Sequence, residues 1–151
     1  MSVGIGYDCH RFAEDRRLVL GGVEIEHPRG LAGHSDADVL THAVIDALLG
    51  AAGRGDIGTL FPDDDERWRD ADSIDLLRTV VGTVSGRIVN IDATVVCEEP
   101  RLAPVRAEME RVLAEATSAR VSVKATTNEG MGWIGRGEGI ACIAVAAVES
   151  E

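Results

Sequence analysis

The spacing of apolar side chains sorts most of the chain into strands of period two and helices of period near 3.6. Ser2 to Asp8 reads as a short strand running into a loop. Leu18-Val19-Leu20 and Val23-Glu24-Ile25 read as two short strands about a Gly21-Gly22 turn. Pro28, Gly30 and Gly33 mark a loop. Ser35 or Asp36 is then placed to cap a helix from about Asp38 to Leu49 that stops near Gly50. Leu40, Val44, Ala47 and Leu48 form its apolar stripe. Asp38, His42 and Asp46 repeat every four residues on the opposite side, which Ile45 and Leu49 share.

From Gly53 to Asp65 the glycines, proline and aspartates predict an irregular loop, and its length suggests function. Asp72 with Asp75 opens a second helix through about Val84, with Ile74, Leu77, Val81 and Val84 facing inward. Ile88 to Cys97 alternates as a strand, with Val89, Ile91, Ala93 and Val95 on one face. Pro104 suits the start of a third helix carrying Val105, Met109, Val112, Leu113 and Ala116. Val121 to Thr126 is a further strand with Lys124 on its polar face, and a Gly-rich loop holds Trp133, Arg136 and Glu138. Ile140 to Val148 is apolar on both faces, as in a strand amid a covered sheet or against another subunit.

That order predicts the α+β class: a mixed four-stranded sheet with helices packed on one face, plus a short hairpin. The other sheet face keeps apolar residues, and an oligomer would cover it. The 151 residues suit a single domain, 1–151, with no internal repeat. Hydrophobic residues make up 45% and aromatics only 3%, so the core must come from Val, Ile, Leu and Ala. No apolar run is long enough to span a membrane, which with the absence of a leader predicts a cytoplasmic protein. Cys9, Cys97 and Cys142 are far apart and odd in number, as reduced thiols are. A formal net charge of −11 argues against nucleic acid and anionic membranes as partners. It also means that any bound phosphate needs local positive charge from metal, backbone N–H groups or single arginines.

Within this frame, Asp8-Cys9-His10 is the first candidate for chemistry. Strand alternation points Asp8 and His10 one way and Cys9 the other. A carboxylate beside an imidazole offers two ligands of a catalytic zinc site, which takes three and leaves one position open. A surface turn with a satisfied histidine has the same short pattern. His42, flanked on its helix by Asp38 and Asp46, suits a third ligand with outer carboxylate partners, or a plain surface histidine unless the first strand approaches it.

Further stretches carry a resemblance across almost the whole chain. They are Tyr7-Asp8-Cys9-His10, His34-Ser35-Asp36-Ala37-Asp38, His42, Gly55-Asp56-Ile57-Gly58, Phe61-Pro62-Asp63-Asp64-Asp65, Lys124-Ala125-Thr126-Thr127 and Gly135-Arg136-Gly137-Glu138-Gly139-Ile140. In this order they resemble the 2-C-methyl-D-erythritol 2,4-cyclodiphosphate synthase family. The resemblance implies a homotrimer with active sites between subunits, acting on a cytidine diphosphate ester of methylerythritol that carries a second phosphate. That phosphate would attack the diphosphate, releasing CMP and closing a cyclic diphosphate. By the same resemblance Asp8, His10 and His42 match zinc ligands, with Asp8 and His10 also at the substrate. A second divalent ion, Mg2+ or Mn2+, would bridge the substrate diphosphate. His34 and Ser35 match a phosphate-contacting loop, His34 in a catalytic role. Asp56, Ile57 and Gly58 with Phe61, Pro62, Asp63, Asp64 and Asp65 match the methylerythritol lining. Cys97, Glu98, Glu99, Pro100, Arg101, Leu102 and Ala103 match a cytosine-binding stretch. Thr126, Thr127, Asn128 and Glu129 match a nucleotide-phosphate segment with Thr127 catalytic, and Trp133 and Arg136 complete the substrate set. Asn128 stands where the family commonly has Thr, Trp133 where it often has Phe, and Cys9 where it has an apolar residue.

The residues agree with such a reaction, since phosphoryl transfer needs positioning and charge neutralisation more than a protein nucleophile. A zinc hydrolase activating water, and a metal- or nucleotide-binding trimer without turnover, remain alternatives. They would give linear phosphate products and no CMP release, respectively.

Overall fold

In the computed structural model, which describes residues 1–150, the frame is a pair of long strands, β1 (Ser2–Ala13) and β7 (Gly139–Glu149). They pair antiparallel from Ser2 opposite Val148 to Arg11 opposite Gly139. β2 (Leu18–Leu20) and β3 (Val23–Ile25) make the expected hairpin, a small sheet of its own. β4 (Gly30–Leu31) follows, then helices α1 (Val39–Ala52), α2 (Ile57–Leu60) and α3 (Ser73–Val81). β5 (Arg87–Val96), α4 (Arg106–Thr117), β6 (Arg120–Thr126) and the short helix α5 (Gly132–Gly135) precede β7. The main sheet has the order β4-β1-β7-β5-β6, with β5 and β6 parallel and the other pairs antiparallel.

The class is α+β as expected, but the sheet has five strands where four were expected. Leu31 and Gly30 pair with Phe12 and Ala13, giving the β1 edge a partner. Two residues are too few to show alternation. β1 runs past Asp8 to Ala13 because it pairs with β7 as far as Arg11 and with β4 at Phe12 and Ala13. On β5 the register slips between Ile88 and Asn90, so Ile88 is buried and Val89 is only half-buried. The bulge shifts the expected phase at that end, while Ile91, Ala93 and Val95 stay inward. α3 ends at Val81 and buries Leu76 and Val80 besides Ile74 and Leu77, while Val81 and Val84 are half-buried against the core. The loop before it contains α2, capped by Asp56, whose carboxylate accepts from Thr59 N.

α1 runs through Gly50 and stops at Gly53, whose left-handed backbone closes the helix. Its cap is Asp38, not Ser35 or Asp36: the Asp38 carboxylate accepts from Thr41 N at 2.9 Å. The helix is buried on nearly every side, between β1 and β7 below and α3 and the hairpin above. Gly4 and Gly6 let β1 lie almost against its backbone. A Cβ at Gly4 would meet Ala47 O at 2.0 Å, and one at Gly6 would meet Ala43 O at 1.9 Å. With that parity Gly4, Gly6, Asp8 and His10 face α1, and Val3, Ile5, Tyr7 and Cys9 face away. The away face is bare: Val3 is 65%, Ile5 70% and Tyr7 54% exposed, beside Ile143 and Val145 of β7.

Candidate metal centre

Because Gly6 brings β1 onto α1, the next side chain of that parity, Asp8, meets His42 in the first turns of α1. Asp8 Oδ2 lies 3.1 Å from His42 Nδ1 and 2.9 Å from His10 Nε2. One ligand atom from each of the three residues falls within 4.8 Å of the others, the span of a metal coordination sphere. The donor chemistry fits a cation as well. His10 Nδ1 lies 2.7 Å from the Ala32 carbonyl, which only accepts, so Nδ1 carries the proton and Nε2 keeps its lone pair. That Nε2 is buried and has no aligned hydrogen-bond partner. Burial pushes the Asp8 carboxyl up, but the His10 and His42 rings beside it outweigh that and hold the carboxyl at about 2. Burial pushes the His42 ring down, and the Asp8 hydrogen bond and charge raise it above the ordinary imidazole value.

The outer partners of His42 differ from expectation. Asp38 is fully buried and spends its oxygens on Gly21 N, Gly22 N and Thr41, which tie the hairpin turn to the start of α1. Asp46 accepts from Ile57 N at 2.7 Å, which holds α2 to α1. The four-residue repeat does place them along one side of the helix, but backbone N–H groups claim both carboxylates. Hydroxyls take their place: His42 Nε2 lies 2.8 Å from Ser73 Oγ and 3.2 Å from Ser35 Oγ. Cys9 lies exposed on the far face of β1, away from the three ligand atoms, as alternation predicts.

A cleft of 380 Å³ opens over Asp8, His10 and His42 and is walled by His34, Ser35, Ile57, Gly58, Phe61 and Asp63. His34 Nε2 lies 3.0 Å from the Asp65 carbonyl, so the loops on either side are joined across it. Trp68 and Leu76 also line this cleft and were not foreseen, since an aromatic in a short turn carries no pattern. Of the expected lining, Asp56 and Asp65 act as helix caps, and Asp65 also pairs with Arg67 at 2.6 Å. Pro62 and Asp64 lie outside the walls.

The remaining expected residues lie elsewhere. Cys97, Glu98, Pro100, Arg101, Leu102, Ala103, Thr126 and Thr127 line a separate hollow of 180 Å³ at the ends of β5 and β6. Glu98 holds its rim by accepting from Asn128 N at 3.1 Å and Gly130 N at 3.0 Å, and Glu99 and Glu129 are not in its wall. Trp133 and Arg136 line a third, wider cavity of 770 Å³ with Cys9, Phe12 and Arg29. His10 aligns with Ile140, the adjacent Ala141 with Val96, and Val96 with Thr126. The two smaller sites therefore share one end of the sheet but stand three strand spacings apart, about 14 Å.

Comparison with known proteins bears on this arrangement. The model of the YgbB family matches residues 1–149. A protein of Syntrophomonas wolfei named 2-C-methyl-D-erythritol 2,4-cyclodiphosphate synthase is 56% identical, over 99% of each chain. One of the same name from Rubrobacter xylanophilus is 58% identical, over 97% of this chain and 94% of its own. Among solved structures, the bifunctional IspDF of Campylobacter jejuni superposes with a TM-score of 0.92 at 42% identity, covering 96% of this chain and 41% of that one. A CDP-bound 2C-methyl-D-erythritol-2,4-cyclodiphosphate synthase superposes with a TM-score of 0.87 at 34% identity, covering 97% and 99%.

Proposed function

The chain belongs to the YgbB family, and from that premise we propose that it converts 4-diphosphocytidyl-2-C-methyl-D-erythritol 2-phosphate to 2-C-methyl-D-erythritol 2,4-cyclodiphosphate and CMP. An oxygen of the 2-phosphate bonds to the diphosphate phosphorus nearer the methylerythritol, and the bond from that phosphorus to the CMP oxygen breaks. The observation that carries the reading is the convergence of Asp8, His10 and His42 at the floor of a cleft walled by His34 and Ser35.

In this reading Asp8 and the two imidazoles hold zinc, which supplies Lewis-acid neutralisation of a diphosphate oxygen. A second divalent ion, Mg2+ or Mn2+, would supply further neutralisation of the substrate's diphosphate charge. His34 and Ser35 orient the attacking phosphate, and the Ile57–Gly58–Phe61 wall encloses the methylerythritol carbons. The backbone and side chains of the Cys97–Ala103 hollow receive cytosine. Thr127, at its edge, polarises the attacked phosphate, with Arg136 as a further phosphate ligand.

A substrate that fills both hollows has to bridge the 14 Å between them within one chain, or find them facing each other across two chains. We favour the second, as a homotrimer with active sites between subunits. It also covers Val3, Ile5, Tyr7, Ile143 and Val145, an apolar sheet face that one chain leaves in water. Three unpaired thiols suit a reducing cytoplasm.

Phosphorus NMR of the purified protein with zinc, magnesium and the cytidylyl substrate tests the reading. A cyclic diphosphate and stoichiometric CMP are expected. A metal-loaded protein that releases no CMP, or yields only linear phosphates, refutes it. In the same assay Thr127→Ala is expected to keep metal and CMP binding and to slow turnover.

A further inference from the structure

Which nitrogen of His42 is free to bind a cation depends on what its other nitrogen meets. Nε2 meets Ser73 Oγ at 2.8 Å. Ser73 is fully buried at the start of α3. Its Oγ hydrogen-bonds Asp36 Oδ1, and its backbone N–H donates to Asp36 Oδ2 at 2.9 Å. The Asp36 carboxylate is anchored in turn: Oδ1 accepts from Asp38 N at 3.1 Å, and Asp36 N donates to the Ala71 carbonyl at 3.2 Å.

A serine hydroxyl owns one proton. With that proton committed to the carboxylate, Ser73 Oγ offers His42 only lone pairs, so the ring nitrogen facing it must carry the hydrogen. Ser35 Oγ stands farther off at 3.2 Å and already accepts from Ala37 N, which leaves its own proton free for the cleft. We infer that Asp36 and Ser73 form a relay that keeps the His42 proton at Nε2 when a cation replaces the proton that Nδ1 otherwise shares with Asp8, so that Nδ1 is the ligating atom. They are positioning residues for the metal centre and touch no substrate. Ser73 belongs to α3, so the seating of that helix is tied to the readiness of a ligand on α1.

The inference rests on the reading of Asp8, His10 and His42 as metal ligands. Its test is zinc affinity of the full chain, measured by competition with a chromophoric chelator, for wild type, Ser73→Ala, Ser73→Thr and Asp36→Asn. Loss of an outer partner of a ligating histidine weakens metal binding by about 10- to 100-fold, and Ser73→Ala should fall in that range. Ser73→Thr keeps the hydroxyl and should recover most of the affinity. Asp36→Asn keeps one acceptor oxygen and should lose less than Ser73→Ala. The readout that a merely structural role would not move is the imidazole N–H of His42 in the zinc-loaded protein. Long-range proton–nitrogen NMR should show it at Nε2 and protected from exchange in wild type, and exchanging in Ser73→Ala. Wild-type affinity in Ser73→Ala, or a protected Nε2 proton that survives the substitution, overturns the relay. If Ser73→Ala does not fold, the same two readouts on Asp36→Asn decide. A wild-type protein that fails to bind zinc overturns the metal reading itself, whereas wild-type binding with unaltered variants overturns the relay alone.

Discussion

Gly6→Ala tests whether the centre is assembled by the near-contact of two backbones. The new Cβ would lie 1.9 Å from Ala43 O and 2.7 Å from Ala47 N, both helix backbone atoms that cannot swing aside as a side chain does. Ordinary contact begins near 3.4 Å, so β1 and α1 must part locally by about 1.5 Å. Asp8 lies two residues along β1 and His42 is the residue before Ala43, so most of that displacement falls between two of the proposed ligands. Metal–ligand distances tolerate roughly 0.2 Å, several times less. Overpacking a core typically costs about 1–3 kcal/mol, and a clash with helix backbone belongs at the upper end. For a chain of this size about 3 kcal/mol lowers Tm by roughly 6–12 °C.

Gly4→Ala is the control. Its Cβ would lie 2.0 Å from Ala47 O, a clash of the same severity, but Gly4 is four residues from Asp8, roughly 13 Å along the strand. Both variants should lose similar thermal stability in the metal-free state. Gly6→Ala should lose more than about 100-fold in zinc affinity by chelator competition, because displacing a ligand costs more than losing an outer partner. Gly4→Ala should lose less than about 10-fold. Equal affinity losses in the two variants, or wild-type affinity in Gly6→Ala, would refute the argument that this contact sets the ligand geometry.

Two further outcomes follow from the structure. The Asp8 carboxyl is held at about 2 against an ordinary 3.8, so in the metal-free protein its stabilisation is full above pH about 4 and is lost as pH falls through about 2. That shift amounts to about 2 kcal/mol, and Asp8→Asn should lose that much less than wild type in urea unfolding between pH 5 and pH 2; identical acid sensitivity would contradict it. Ile5→Glu places a charge on the bare sheet face where Ile5 is 70% exposed, so the single chain should fold unchanged by circular dichroism. Sedimentation should show the proposed homotrimer reduced to monomers, and an unchanged mass would show that this face is not the interface.

What the sequence foretold and what it concealed divide along a physical line. Period two foretold that Asp8 and His10 share a face and that Cys9 does not. Period near four put His42 on a side of α1 shared with Ile45 and Leu49, which a surface histidine also fits until β1 approaches it. Both are properties of one element, set by backbone geometry alone. The outer partners of His42 were misread because Asp38 and Asp46 also lie at that spacing, and spacing says nothing of competing donors. The hairpin turn and the start of α2 present bare N–H groups to those carboxylates, and buried N–H groups must be satisfied. Ser73, which does reach the ring, and Asp36, which holds Ser73, stand 37 positions apart. No period links them, and only the packing of α3 on α1 brings them together. The same limit explains the five-stranded sheet, since Gly30–Leu31 pairs across a loop and is too short to alternate. Ligands carried on one strand or one helix leave a trace in the pattern. Groups that orient a ligand from a neighbouring element leave none, so a metal centre read from sequence is most incomplete in the hydrogen bonds around its ligands.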